Sequence, residues 1–326
     1  MCKEWCYTVR DAKSVASVTK DGRTEIMMKE RIEQLKKEKN AVILAHYYVD
    51  EDVQQVADYI GDSYYLSKVA TKVSADRIVF AGVEFMGESA KLLNKEKRVF
   101  MPDATADCPM AHMASAEEIQ LIKEKYEDVA VVCYINSTVE LKALADVCVT
   151  SANAVKIVKN LPNKNIFFIP DRNLGTFVQD QVPEKNIILN QGHCPRHTII
   201  SKADMLAAKE AHPKAKVAVH PECTKDVTEL ADYVGSTSAI IDYVVNTDAE
   251  EFIIGTVDGV FYKIHGQAPD KRLYRVRAVQ ECTNMKKVTL EKIIDVLENE
   301  TNEVFLDETI AKAAIKPLEK MLELAQ

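Results

Sequence analysis

No stretch of this 326-residue sequence approaches the ~20 consecutive apolar residues needed to span a bilayer. Its start, MCKEWCYTVRDAKSVASVTKDGR, carries no apolar run behind the first charges. Neither a membrane span nor a secretory leader is therefore expected, and the protein is expected to be cytoplasmic. Basic charge is not in excess, since 42 Lys and Arg face 50 Asp and Glu for a net charge of −8. That balance offers no electrostatic footprint for a nucleic-acid backbone or an anionic membrane, so neither is expected as a partner. Cysteine is sparse, with eight residues in the whole chain. That is too few for a disulfide scaffold, and in a reducing compartment such residues are free thiols, metal ligands or nucleophiles.

What is present is a large apolar fraction, 47% of residues, arranged with a long period. The runs AVILAHYY (41–48), VAVVCYIN (129–136) and VAVHPE (217–222) begin at intervals of 88 residues, and each ends in a polar cluster containing His or Tyr. A segment with helical apolar spacing precedes them, as in Met28, Ile32 and Leu35 or in Ile119, Ile122 and Tyr126. A hydroxylic turn follows each run: Asp62–Ser63, Thr150–Ser151 and Ser236–Thr237. Residues of these types before a helical run act as N-caps, and the first helical turn offers free N–H groups to an anion. Second strands follow in RIVFAGV, NIFFIPD and EFIIGTV. Continuous apolar runs of this kind suit parallel strands covered on both faces. The expectation is three similar three-layer αβα units with parallel sheets around a pseudo-threefold axis and a site at the centre.

Three cysteines follow the same period. Cys108 in DATADCPMAH, Cys194 in NQGHCPRH and Cys282 in AVQECTNMKK are separated by 86 and 88 residues. If the units meet at an axis, these thiols converge, and three soft sulfurs suit zinc or an iron–sulfur cluster. A 4Fe-4S cube on three cysteines leaves one iron open, which is a catalytic rather than an electron-carrying arrangement. Cys133 and Cys148 lie inside apolar runs and read as core, whereas Cys223 has no counterpart and reads as structural. Cys2 and Cys6 receive no role.

The strand-end pairs His46 and Tyr48, Tyr134 and Asn136, and His220 and Glu222 are each spaced by two, which on a strand places both side chains on one side. Glu222 is the natural proton carrier, with His220 to tune it. Asp62 reads as a cap or a ligand group. The hydroxyls of Ser63, Ser151, Ser236 and Thr237 suit carboxylate or phosphate oxygens, which points to a small, multiply anionic substrate.

These residues fall within a series of motifs that resembles the quinolinate synthase family. It runs from about Glu25 to the C-terminus through AHYY, GDSYYLSK, FAGVEFMGESAKLLN, PDATADCPMA, YINSTVELKA, VTSANAVKIV, IPDRNLG, GHCPRH, HPEC, GSTSAII and MKKVTLEKI. The resemblance implies a 4Fe-4S cluster on Cys108, Cys194 and Cys282. It implies condensation of iminoaspartate with dihydroxyacetone phosphate to quinolinate, phosphate and two waters in de novo NAD biosynthesis, with iminoaspartate supplied by L-aspartate oxidase or aspartate dehydrogenase. The pocket it implies comprises His46, Tyr48, Asp62, Ser63, Tyr134, Asn136, Ser151, His220, Glu222, Ser236 and Thr237, with Glu222, Tyr48 and His220 as catalytic candidates. The implied domains are 25–110 with the C-terminal helices 288–326, then 111–197 and 198–287, behind an unassigned extension 1–24. One departure is ECTNM, where the family commonly has Cys-Pro, and another is the basic segment HGQAPDKRLYRVRAVQE. Two other readings of the same thiols are a zinc-dependent hydrolase or hydro-lyase and a non-catalytic iron–sulfur sensor.

Overall fold

The computed structural model describes residues 20–325, so Cys2 and Cys6 lie outside the described residues. Three four-stranded sheets, all parallel, follow one another along the chain. The first contains β1 (Ala41–His46), β2 (Tyr59–Gly61), β3 (Arg77–Ala81) and β4 (Arg98–Phe100) in the order β2-β1-β3-β4. The second repeats that order with β5 (Val129–Tyr134), β6 (Val147–Val149), β7 (Asn165–Ile169) and β8 (Asn186–Leu189). The third does so with β9 (Lys216–Val219), β10 (Tyr233–Val234), β11 (Glu251–Gly255) and β12 (Arg272–Arg275). Helices lie between successive strands, as parallel crossovers require. The three αβα units expected from the period are therefore present.

The continuous apolar runs explain the central strands. All but the first residue of β1 and of β5 are buried, as in a strand covered by helices on both faces. The outer strands are short, two or three residues in β2, β6 and β10, and their apolar signal is too brief to register as strands in the sequence. In-register pairing of β5 with β6 sets Cys133 beside Cys148, and both are fully buried, as core residues should be. Cys223 is buried too, its thiol donating to the Gly255 carbonyl at 3.3 Å.

The C-terminal segment closes the edge of the first sheet. Residues 302–304 run antiparallel to β4 through Met101 N–H to the Asn302 carbonyl (3.1 Å) and Val304 N–H to the Val99 carbonyl (2.8 Å). Covering an edge in this way removes a template for unwanted strand pairing. Glu300, in the left-handed region at φ 53°, ends the helix Leu290–Asn299 and pairs with Arg77 and Arg98. That helix packs on the helix Lys20–Glu38, whereas the last helix, Glu308–Leu324, lies against the helices Glu84–Leu93 and Val139–Leu144 of the first and second units.

The first two units share one continuous apolar core, while the third has one cluster on each face of its sheet, one of which takes in Tyr47 of the first unit with Tyr48 and Ile60 packed against it. The joint between the first and third units also has a tight polar contact. The buried Gln54 amide donates to the carbonyls of Tyr47 (3.1 Å), Val49 (3.1 Å) and Gly259 (3.0 Å), fastening the loop after β1 to the loop after β11. Backbones approach so closely here that a methyl on Gly259 would collide with the Tyr47 carbonyl and lie 3.0 Å from Tyr48 Cα. Gly259→Ala is accordingly expected to destabilise the protein by about 1–3 kcal/mol in denaturant unfolding. Gly266→Ala, where nothing lies within 4 Å of the added carbon, should be neutral or up to about 1 kcal/mol more stable. Equal behaviour of the two variants would show that the joint is not tight.

Candidate functional site

In each sheet the chain reverses its direction of winding between the two central strands, and the crevice beyond their carboxyl ends is where such folds bind ligands. The three crevices open onto one cavity. Its lining includes His46, Tyr48, Asp62 and Ser63 from the first unit, Tyr134, Asn136 and Ser151 from the second, and His220, Glu222 and Thr237 from the third. Ser236 caps the helix Thr237–Asn246 by accepting from Ala239 N–H (3.3 Å) and does not line the cavity. Asp62 caps the helix Ser63–Ala70 through Tyr65 N–H (2.9 Å), and its other oxygen accepts from Ser238 (2.6 Å).

Two local expectations are corrected. The polar pairs do not lie on strands with both side chains facing one way. β1 and β5 end at His46 and Tyr134 and β9 ends before His220, so Tyr48, Asn136 and Glu222 occupy turns. In the first and third units the turn has a specific lock. His46 Nδ1 accepts Tyr48 N–H (3.2 Å), and His220 Nδ1 accepts Glu222 N–H (3.3 Å). A ring that accepts at Nδ1 carries its proton on Nε2, and that of His220 faces Ser151 Oγ at 3.1 Å. Among the described residues Ser151 makes no capping bond. Thr150 does: its Oγ1 accepts Ala152 N–H (3.3 Å) while Asn153 Oδ1 accepts Thr150 N–H (2.7 Å), a reciprocal turn that leads into the helix Ala154–Asn160.

At the centre sits the Glu222 carboxylate, only 3% exposed. Oε1 accepts from Tyr134 Oη (2.7 Å), and Oε2 lies 2.6 Å from His197 Nδ1 and 3.5 Å from His220 Nδ1. Burial pushes its pKa up, but the His220 and His197 rings and the Tyr134 hydrogen bond outweigh that and hold it well below the ordinary carboxylate range. On the other side of His197, Nε2 meets Thr256 Oγ1 at 2.8 Å, and Thr256 Oγ1 meets Tyr48 Oη at 2.7 Å. Tyr48 Oη also contacts Thr237 Oγ1 at 2.9 Å. Pairing donors with acceptors gives one consistent direction: Tyr48 to Thr256, Thr256 to His197, His197 to Glu222. Burial and the Glu222 charge raise the Tyr48 pKa well above 10, so its phenol is protonated at rest. Sequence reasoning missed His197 and Thr256. Neither recurs in the other units, although His197 stands three residues after Cys194 on one helical turn and Thr256 directly follows β11.

Cys108, Cys194 and Cys282 line the same cavity. Each follows the fourth strand of its unit and precedes a short helical turn: Pro109–His112, Pro195–Thr198 and Met285–Lys287. The third turn forms without proline, as Lys286 N–H reaches the Cys282 carbonyl at 3.0 Å. Backbone N–H groups face each sulfur: those of Met110 and Ala111 for Cys108, His197 for Cys194, and Asn284 and Met285 for Cys282. Burial, then the neighbouring Cys282 thiol, push the Cys108 pKa up to about 12, and Cys194 is raised by burial, Glu222 and Cys108. Three such thiols become thiolates together only beside a strong cationic centre, and N–H groups aimed at sulfur are what cluster-bound cysteines accept. The donor set thus fits a thiolate-held metal group. A further donor group, Cys194, His197 and Glu222, has its ligand atoms within 4.8 Å of one another. The buried Asn136 Oδ1 has no protein partner among the described residues, which leaves an acceptor for a ligand.

The neutral histidines set a pH dependence. Burial lowers His46 and His220 from 6.5 to about 3, with the Glu222 charge opposing. Between those values the unfolded chain binds more protons than the folded one, so stability falls as pH falls from about 6.5 toward 3. Unfolding free energy of the metal-free protein should drop by about 2 kcal/mol for each of the two rings between pH 7 and pH 5. A flat profile in denaturant titrations would mean the rings are already protonated in the fold.

No helix of the described residues is long and apolar enough to cross a membrane. The profile of the family described as "Quinolinate synthetase A protein" matches residues 30–323. Quinolinate synthase of Fusobacterium nucleatum is 54% identical over 298 residues, covering 91% of this chain and 99% of that protein. Quinolinate synthase of Caldicellulosiruptor saccharolyticus is 51% identical over 298 residues, with 91% and 98% covered. Quinolinate synthase of Clostridioides difficile is 45% identical over 296 residues, with 91% and 97% covered. With nearly the whole described fold matched in this way, the chain belongs to the quinolinate synthase family, enzymes of NAD biosynthesis.

Proposed function

We propose that this chain condenses iminoaspartate with dihydroxyacetone phosphate, giving quinolinate, inorganic phosphate and two waters, with a 4Fe-4S cluster held by Cys108, Cys194 and Cys282. An enzyme that oxidises aspartate, L-aspartate oxidase or aspartate dehydrogenase, supplies the imine. The observation that carries this reading is the convergence of three equivalent thiols, one from each unit, on a cavity that also holds the Tyr48–Thr256–His197–Glu222 chain. When bound, such a cluster supplies a Lewis-acidic iron with an open coordination position.

The chain's own residues supply the proton traffic. Tyr48 Oη, protonated at rest, gives its proton to a departing hydroxyl, which leaves as water, and the phenolate so formed takes a proton from substrate carbon, so one phenol serves both dehydration and isomerisation. The relay of hydrogen bonds from Tyr48 through Thr256 and His197 to Glu222 fixes the phenol oxygen for both steps. Ser63, Ser151 and Thr237 offer hydroxyls to substrate oxygens, and Asn136 offers a free carboxamide oxygen. Tyr134 and His220 hold Glu222 in place.

A second reading, a single zinc ion on Cys194, His197 and Glu222, is favoured by their mutual distances. It leaves Cys108 and Cys282 without a task and opens the relay, so the cluster reading is preferred. Quinolinate assay of the anaerobically reconstituted protein, with iron, sulfide and zinc analysis, decides between them. About four irons and four sulfides per chain with product formation supports the cluster; zinc at one per chain without sulfide rejects it.

Two variants test the parts. Cys194→Ala should lose the brown absorbance near ~400 nm together with activity. Thr256→Val, nearly the same size but without the hydroxyl, should keep the absorbance and lower kcat by about a hundredfold or more. Unchanged turnover in the Val variant would remove the relay from the mechanism.

A further inference from the structure

The cavity wall contains one fixed positive charge. Of the described residues lining it, Arg196 is the only Lys or Arg, while Asp62 and Glu222 bring carboxylates and Cys108, Cys194 and Cys282 bring thiols. Neighbouring cations are neutralised by acids. Lys286 pairs with Asp50 and Glu281, Arg275 with Asp258 at 2.7 Å, and Arg277 with Asp204 at 2.8 Å. Arg196 has no ion pair among the described residues. Its charge is instead felt by the Cys282 sulfur, which places the guanidinium on the thiol side of the cavity. It is half-buried on the turn Pro195–Thr198, between a thiol and the His197 relay residue.

A half-buried guanidinium left without a carboxylate in a cavity that otherwise repels anions is matched to an incoming oxyanion. Its planar fork meets carboxylate or phosphate with two parallel hydrogen bonds. Resting on the reading above, in which both substrates are small anions, we propose that Arg196 is the oxyanion clamp of this site, holding the phosphate or a carboxylate of substrate through its guanidinium. The hydroxyls of Ser63, Ser151 and Thr237 orient oxygens but carry no charge. Arg196 therefore sets affinity for the anionic group and leaves the proton chemistry to Tyr48 and Glu222.

The test uses the reconstituted full chain and its Arg196→Gln and Arg196→Lys variants. Calorimetric titration with inorganic phosphate and with malonate reads binding apart from turnover. Arg196→Gln should weaken one of these anions by about tenfold or more, and Arg196→Lys should recover part of the loss. In the quinolinate assay KM should rise by a similar factor with kcat within about twofold. A rise for dihydroxyacetone phosphate together with weaker phosphate binding assigns the phosphate. A rise for iminoaspartate together with weaker malonate binding assigns a carboxylate. Unchanged binding of both anions in the Gln variant overturns the proposal. So does a fall in kcat at constant KM with altered visible absorbance, which would tie Arg196 to the metal group instead. If the wild-type chain forms no quinolinate, the function above fails, and the two anion titrations still decide the clamp.

Discussion

A buried negative charge governs this molecule. Glu222 is almost wholly removed from water, and a carboxylate there is tolerable only if its oxygens are satisfied by good donors. Those donors come from elsewhere in the chain: Tyr134 at the end of β5 and His197 beside Cys194. Asn173 of the second unit also donates to the Glu222 carbonyl at 3.0 Å, fixing the turn that presents the acid. The second and third units thus meet around one ion. The first unit joins through Tyr48, whose phenol reaches Thr237 and Thr256 of the third. Folding and the chemistry of the site are two descriptions of the same set of hydrogen bonds.

The thiols extend this logic. Each sits where the chain leaves a fourth strand and enters a helical turn, so the fold delivers backbone N–H groups to sulfur three times by the same local geometry. Asp171, fully buried, reinforces one of these turns by accepting Cys194 N–H at 2.9 Å and Leu174 N–H at 2.7 Å. The third turn shows that the proline at the other two is a convenience rather than a requirement. Hydrogen bonding within the turn holds the backbone that a fixed φ would otherwise set.

Much of this was legible in the sequence because it repeats. The 88-residue spacing of AVILAH, VAVVCY and VAVH marked the central strands, and closely similar intervals of 86 and 88 singled out Cys108, Cys194 and Cys282 against the core thiols Cys133 and Cys148. What does not repeat was hidden. His197, Thr256 and Arg196 occur in one unit only, and a periodicity has nothing to say about them. The two-residue alternation of the strand-end pairs also misled. Strand geometry ends at or before the first member, and side-chain-to-backbone bonds such as Tyr48 N–H to His46 Nδ1 take over. Ser151 has no cap role because the capping falls one residue earlier, on Thr150 with Asn153, and leaves the Ser151 hydroxyl to face His220.

The joint at Gln54 and Gly259 gives the third unit a different standing from the other two. Its apolar clusters are separate from the core that the other two share, with Tyr47, Tyr48 and Ile60 of the first unit reaching into one of them, and polar contacts complete the seam. Yet the path from Tyr48 to Glu222 joins the third unit to its neighbours three times, at Tyr48–Thr256, Thr256–His197 and His197–Glu222. A small parting of this lobe would break it in three places at once. Docking of this lobe is thereby a condition for completing the site, because a half-assembled molecule would leave Glu222 buried without His197 and the Tyr48 phenol without Thr256.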